Sequence, residues 1–456
     1  MSIAAREDLP VAVLGAGPVG LAAATHLYAR GLPALVLEAG ERVGSSVREW
    51  GHVRLFSPWR YVVDPEARCL LERHGWRHPD PEAHPTGAEL VRDYLEPLAS
   101  LPEVAPLLRL GHRVTSVTRL GHDRMKTAGR ERAPFLVVAE GPDGEVRLRA
   151  RAVIDATGTW SSPNPLGAGG VPAAGERENS GRVRYGIPDA LGRERGRYAG
   201  RRTLVVGSGH SAFNAVIDLA ALAEEARGTQ VLWAVRRLEA GQMFGGGGAD
   251  ALSERGALGA RARDLVARKG VGFITGFAVE RLEADGDGLA VVAEDGRRVV
   301  VDEVVAATGY RPDLGLTREL RLDLDPVTEA PVRLAPLIDP NVHSCGTVPP
   351  HGEAELAHPE PGYYAVGMKS YGRAPTFLML TGYEQVRSVI AFLAGDLEAA
   401  GRVELVLPET GVCSSGPVGE DGACCGSLPA GGSPVPGDGC CGQAPEAAEV
   451  DMATAT

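Results

Sequence analysis

The chain has 456 residues, with 47 Lys and Arg against 59 Asp and Glu for a net charge of −12, and 44% hydrophobic and 23% charged residues. That length exceeds one ordinary core and implies two or more domains of soluble globular composition. The acidic balance argues against nucleic acid or an anionic membrane as partner, and no uncharged apolar run reaches transmembrane length.

The opening residues, Met1 to Asp8, lack the basic and apolar regions of a secretory signal. A cytoplasmic location with reduced thiols is therefore expected. Val11-Ala12-Val13-Leu14 then reads as a buried strand running into Gly15-Ala16-Gly17-Pro18-Val19-Gly20. The following run, Leu21 to Arg30, is rich in helix formers, Gly31 suits the helix end, and Ala34-Leu35-Val36-Leu37 predicts a second strand that ends at Glu38 and Ala39. In this glycine fingerprint Gly15 permits the turn, Gly17 lets backbone approach a pyrophosphate, and Gly20 allows close helix–strand packing. The diphosphate would sit on the amide-rich helix start beside Pro18. Glu38, about 20 residues on, is placed to accept ribose hydroxyl hydrogen bonds, which suits FAD or NAD and disfavours a 2′-phosphate.

Residues 104–150 alternate apolar and polar around turns such as Gly141-Pro142-Asp143-Gly144, which predicts a small antiparallel insertion. It closes on a strand entering Ala156-Thr157-Gly158. The pattern then repeats. Thr203 to Val206 leads into Gly207-Ser208-Gly209-His210-Ser211-Ala212, a helix is predicted over 211–226, and a strand over 230–235. Here Arg236-Arg237 stand where the first unit has Glu38. Guanidinium groups match a phosphate bidentately, so the expected second dinucleotide is NADPH. His210 reads as a backbone spacer, and Ser211 as a helix cap that also touches phosphate. Val304-Val305-Ala306 then enters Ala307-Thr308-Gly309, so the Ala-Thr-Gly element follows each fingerprint once. A closing helix is predicted over 376–394.

This arrangement resembles the two-dinucleotide-binding-domain flavoproteins, which include flavin-containing monooxygenases, thioredoxin reductases and glutathione reductases. The resemblance covers about residues 10–395 and implies an α/β fold of two nested Rossmann-like three-layer domains. It implies FAD in the first, NADPH in the second, and hydride transfer from nicotinamide to flavin. The FAD domain would be discontinuous, 1–185 and 319–408, around an NADPH domain at 186–318. Pro361 to Gly367 looks like the third FAD motif of the family, although Met368 stands where the reductases carry aspartate. No cysteine lies between Glu38 and Trp59, and none between Cys69 and Cys345, which disfavours a reductase with its own redox disulfide beside the flavin. The stretch Arg48 to Trp59 is more similar to the Trp-rich segment of the monooxygenases. The monooxygenase signature before the second fingerprint is incomplete, with Leu204 in place of its histidine. Oxygenation, oxidase activity and dehydrogenation all stay open.

Arg54 and Lys369 are candidate cations for an anionic reduced flavin, each in a segment expected near it. Trp50, Trp59, Tyr363 and Tyr371 read as packing. His351, Glu353, Glu355 and His358 carry ligand-type side chains, but between Pro349-Pro350 and Pro359 they read as a solvated loop.

Residues 409–456 are dominated by Gly, Pro, Ala, Ser, Glu and Cys and are expected to be a disordered tail. Cys413, Cys424, Cys425, Cys440 and Cys441 fall there, with vicinal pairs suited to soft thiophilic ions and without zinc-site spacing. The tail resembles the metal-delivery tails of mercuric reductases and the vicinal-cysteine sites of arsenic-handling proteins. That resemblance implies capture of a trivalent metalloid ion as partner to a small-molecule flavin site. Two rival readings remain: a thiol-linked metal or disulfide reductase using the tail cysteines, and a non-enzymatic metalloid-binding or redox-sensing flavoprotein.

Overall fold

The computed structural model describes residues 8–239, 241–244, 253–340, 348–375 and 377–405. Cys345 and the five tail cysteines, with the whole of 409–456, lie outside the described residues. The first unit runs through β1 (Val11–Leu14), α1 (Pro18–Ala29), β2 (Ala34–Leu37) and β3 (Leu108–Arg109). It continues with β4 (Arg113–Arg119), β5 (Phe135–Gly141), β6 (Gly144–Ala150) and β7 (Ala152–Asp155). The second contains β8 (Val183–Tyr185), β9 (Arg202–Val206), α2 (His210–Glu225), β10 (Gln230–Ala234) and α3 (Ser253–Ala267). Then come β11 (Gly272–Ile274), β12 (Val279–Asp285), β13 (Gly288–Ala293), β14 (Arg298–Val301) and β15 (Glu303–Ala306). The chain then adds β16 (Tyr363–Ala365) and α4 (Met379–Leu393), with a short helix at Leu397–Gly401 after them.

Two five-stranded sheets follow, ordered β16-β7-β1-β2-β3 and β11-β10-β9-β15-β8, and every pairing within them is parallel. The chain leaves the first sheet after β7 and re-enters it at β16 only when the second sheet is complete. In each sheet the order reverses beside its central strand, between β1 and β7 and between β9 and β15, which is where α/β sheets open a ligand crevice.

Strand alternation builds three layers in each unit. Val11, Val13, Val36 and Ile154 pack with α1 and α4 on one face of the first sheet, while Ala12, Leu14, Leu37 and Val153 meet Val117, Phe135 and Val137 of the β4-β5-β6 sheet on the other. In the second unit Val205, Trp233 and Val305 pack against α2 and α3, and Leu204, Val206, Val304 and Ala306 meet Leu282, Leu289 and Val291 of a second antiparallel sheet, β12-β13-β14. Each such buried aliphatic side chain contributes about 1.5–3 kcal/mol relative to exposure. The architecture is thus α/β with two nested Rossmann-like units. No helix among the described residues is long and apolar enough to cross a membrane.

Several local expectations are corrected. The antiparallel insertion begins at Arg113, because Leu108–Arg109 joins the edge of the first parallel sheet instead. The stretch around His351 to His358 is not a solvated loop. Glu353–Leu356 is a helical turn, and His351 is buried, its Nδ1–H on the Pro349 carbonyl and its Nε2 accepting from Gln385. Ser211 does not cap α2. Gly209 occupies the N-cap, with no side-chain cap hydrogen bond.

Candidate functional site

The two crevices are built alike. A Cβ on Gly15, at φ +96°, would lie 2.8 Å from the Ala156 carbonyl oxygen, so the glycine turn and the Ala-Thr-Gly turn close against each other. A Cβ on Gly20 would lie 2.0 Å from the Gly15 carbonyl, which is the close helix–strand approach that its position requires. Gly17 differs: a Cβ there would meet nothing within 4 Å. It faces open space at the N-cap of α1, where no side chain caps the helix and Pro18 holds the first position. The positive end of α1 is therefore free for an anionic group.

Glu38 is 8% exposed at the end of β2, and its carboxylate accepts from the Ala16 amide at 2.7 Å and the Gly40 amide at 2.9 Å. It ties the glycine turn to the end of β2, a tie that spacing alone did not disclose. Ala39 beside it is exposed.

At the second crevice a Cβ on Gly207, at φ +137°, would lie 2.2 Å from the Ala307 carbonyl, while one on Gly209 would meet nothing within 4 Å. Trp233 Nε1–H donates to the Gly207 carbonyl at 2.8 Å and fixes the turn from the core side. Arg236 and Arg237 stand at the end of β10, the position Glu38 holds in the first unit. Arg236 is exposed, with one guanidinium N–H on the Ala168 carbonyl. Burial, and then the charge of Arg236, hold the Arg237 guanidinium below its ordinary pKa.

His210 is more than a spacer. Its ring lies 5.3 Å from Phe56 and 5.7 Å from Phe213, so it joins the Trp-rich segment of the first unit to α2 of the second. A further junction links the two Ala-Thr-Gly turns. Trp160 stacks on Tyr310 at 4.8 Å, Thr308 Oγ1–H donates to the Asn164 carbonyl at 2.5 Å, and the Asn164 amide donates to the Gly309 carbonyl at 2.9 Å. Trp160 Nε1–H also donates to Glu49 at 2.8 Å.

Of the two candidate cations, Arg54 is exposed and donates to the His84 carbonyl. Lys369 is buried. Its ammonium lies 2.7 Å from Asp155 Oδ2 and 3.0 Å from Thr157 Oγ1. Gly367, at φ +68°, donates its amide to Gln385 Oε1 at 2.7 Å and packs on Val19 at the start of α1. Thr157 and Gly158 form the open lip of the first crevice. Thr157 is exposed, and a Cβ on Gly158, at φ +67°, would meet nothing within 4 Å. Asp155, Phe56, Trp160 and Tyr310 were not among the sequence candidates. The one readable signal was Asp155, an acid closing an otherwise apolar strand.

Two parallel sheets, each with a glycine turn and an Ala-Thr-Gly turn meeting at its switch point, define a double dinucleotide-binding fold. The chain belongs to the family described as pyridine nucleotide-disulphide oxidoreductase, which it matches over residues 12–332. It is 32% identical over 212 residues to an indole-3-pyruvate monooxygenase, YUCCA1, of Oryza sativa subsp. japonica, covering 45% of this chain and 44% of that protein. It is 25% identical over 242 residues to a flavin-containing monooxygenase, FMO GS-OX-like 2, of Arabidopsis thaliana, covering 47% and 48%. The chain thus spans about half the length of the curated relatives it matches. Among solved structures, a bacillithiol disulfide reductase of Bacillus cereus superposes with TM-score 0.61 at 18% identity, covering 85% of this chain and 99% of that one. A flavin-containing monooxygenase of Stenotrophomonas maltophilia does so with TM-score 0.54 at 22%, covering 84% and 99%. At these identities the likeness is one of fold.

Proposed function

We propose that this chain is an FAD-dependent oxidoreductase of the monooxygenase-like branch that draws hydride from NADPH. One observation carries the reading: two equivalent crevices end in opposite charges, Glu38 in the first and Arg236-Arg237 in the second. An acid suits the bare ribose of FAD, and paired guanidiniums suit the 2′-phosphate that separates NADPH from NADH. The domains 1–185 with 319–408, and 186–318, are assigned to FAD and NADPH on this basis, except that β8 (Val183–Tyr185) goes with the NADPH unit, whose sheet it edges.

The first crevice suits FAD. Gly17 leaves room against the uncapped helix start, Glu38 faces the adenosine end, and the Thr157-Gly158 and Gly367 turns border the remainder. Bound there, FAD supplies a two-electron acceptor able to pass electrons to oxygen or an oxidisable substrate. Gly209 and the start of α2 receive the second diphosphate, and Thr308-Gly309 borders it. Phe56 and His210 meet ring to ring between the first unit and the start of α2.

The relatives named as monooxygenases favour an oxygen-using reaction over disulfide reduction. Cys69, exposed, stands alone as a free thiol among the described residues. Anaerobic titration of the yellow holoprotein with NADPH and then NADH tests the proposal. Bleaching by NADPH at lower concentration than by NADH supports it, and no bleaching by either removes it. Admission of air then separates substrate oxygenation from peroxide release.

A second reading adds metalloid capture by Cys413, Cys424, Cys425, Cys440 and Cys441, supported by the clustering of five thiols in one short stretch. Equal binding of trivalent arsenic by the full chain and by a chain ended at Pro408 would remove it.

A further inference from the structure

Behind the Gly367 turn lies a buried relay whose hydrogen bonds admit one arrangement. Gln385 of α4 and Ser370 are wholly buried, and His351 is 3% exposed. The Gly367 amide donates to Gln385 Oε1 at 2.7 Å, which fixes the side-chain amide, because a backbone N–H can meet only its oxygen. Gln385 Nε2 then spends its two N–H groups on Ser370 Oγ at 2.9 Å and His351 Nε2 at 3.0 Å. His351 Nε2 is therefore an acceptor, and Nδ1 carries the proton that reaches the Pro349 carbonyl at 3.0 Å. Ser370 Oγ–H closes the relay on the Gly367 carbonyl at 2.8 Å.

A proton on His351 Nε2 breaks this arrangement. The new N–H would face the amide nitrogen of Gln385, donor against donor. Turning that amide over satisfies the ring but sets its nitrogen against the Gly367 N–H. Either way a buried donor loses its acceptor, at a cost of about 1–3 kcal/mol. Burial holds the imidazole below its ordinary pKa, opposed by the Pro349 bond and by the charges of Glu355 and Glu384. Those charges are engaged elsewhere, Glu355 by the Gly352 amide and Glu384 by Arg387. Lys369, in the same turn as Gly367, pairs with Asp155, and Tyr371, its ring 5.6 Å from His351, is kept neutral by burial.

The turn matters for what it touches. A Cβ on Gly367 would lie 3.2 Å from Val19 Cγ2, and one on Gly382 of α4 would lie 2.7 Å from the same atom. Val19 stands in the first turn of α1, the helix whose uncapped N-terminus is free for a diphosphate. The relay thus braces that helix start.

Resting on the FAD reading above, we propose that Gln385 and neutral His351 are positioning residues for FAD: they lock the Gly367 turn against Val19, and protonation of His351 unlocks it and loosens the cofactor.

The test measures FAD dissociation from the wild-type holoprotein, H351Q and Q385L between pH 8 and pH 5. Release is read from the return of free-flavin fluorescence on dilution, with folding checked by circular dichroism. The wild-type dissociation constant is expected to rise on acidification, by up to about tenfold per pH unit for one proton. H351Q keeps an oxygen able to accept from Gln385 and gains no proton, so it is expected to lack that rise. Q385L strands the Gly367 amide and is expected to bind FAD about tenfold or more weakly at pH 8. A flat wild-type curve, an equal rise in H351Q, or a folded Q385L that holds FAD as the wild type does overturns the proposal. Imidazole nitrogen NMR on the wild type serves should the variants fail to fold. Flavin binding and protonation oppose each other reciprocally, so His351 is expected to take its proton at lower pH in the holoprotein than in protein stripped of flavin. Equal midpoints overturn the proposal. A wild-type protein that takes up no FAD overturns the cofactor reading itself, a result distinct from these.

Discussion

A Cβ placed on Gly207 would stand 2.2 Å from the carbonyl oxygen of Ala307, so these two residues hold the second glycine turn against the second Ala-Thr-Gly turn with no room between. Gly209, two residues on, has nothing within 4 Å of the same imagined atom. The two glycines therefore separate folding from binding. G207A must distort backbone and leave a conformation natural to glycine, at about 1–3 kcal/mol or more, and its melting temperature should fall. G209A should melt as the wild type does. Both should raise the KM for NADPH, G209A by filling the space the diphosphate needs. Thermal melts beside steady-state kinetics check this pair.

Arg236 and Arg237 predict a cofactor preference. Replacing both with alanine should raise the KM for NADPH about 10–100-fold, the worth of charge-assisted hydrogen bonds to one phosphate. The KM for NADH should move little, because NADH has no 2′-phosphate. Kinetics with both nucleotides check the ratio, and equal losses for the two would reject this role.

A second buried ionic cluster is structural. Glu360, 2% exposed, accepts from Arg119 at 2.7 Å, from Arg130 at 2.6 Å and from the Arg321 amide at 3.0 Å. It binds the β4-β5-β6 sheet to the approach of β16. E360Q leaves two buried guanidiniums facing a neutral amide, which should cost about 3–5 kcal/mol. Denaturant unfolding checks the value, with Arg54→Ala, an exposed site, as a near-neutral control.

Stability should fall on acidification in two stages. Burial lowers the pKa of His351 and takes that of His358 from 6.5 to about 4. For a histidine with a depressed folded value, the unfolded chain takes the proton first. Stability is present above 6.5 and is lost as pH falls toward 4, by up to about 3 kcal/mol for His358. Glu360 has a lowered pKa through its arginine partners, opposed by burial, and its contribution is lost below the ordinary carboxylate range. Melting temperatures from pH 8 down to about pH 2 check both stages, and H358Q should flatten the upper part of the curve.

Much of the fold could be read from local pattern because parallel strands buried on both faces are continuous apolar runs, and β1 and β9 run straight into glycine. Val11 to Leu14 and Thr203 to Val206 announced both sheets, and Glu38 and Arg236-Arg237 were readable as opposite charges just after the second strand of each unit. What escaped was set by partners distant in the chain. Lys369 and Asp155 are 214 residues apart, and nothing near either names the other. His351 looked solvated among prolines, yet Gln385 on α4 buries it. The β12-β13-β14 sheet was missed although β13 is apolar throughout, because its period marks burial without saying against what. Leu108–Arg109 is too short to announce a strand, and only β2 beside it makes it one.

The late return of β16 and α4 has a consequence for synthesis. As the chain emerges from the ribosome, the inner unit has all its strands by Ala306, whereas the outer unit waits for Leu393 to cover α1. The half that would hold nicotinamide can thus be finished while the half that would hold flavin still exposes its helix face. Nascent chains stalled between those points would carry that apolar surface open to chaperones.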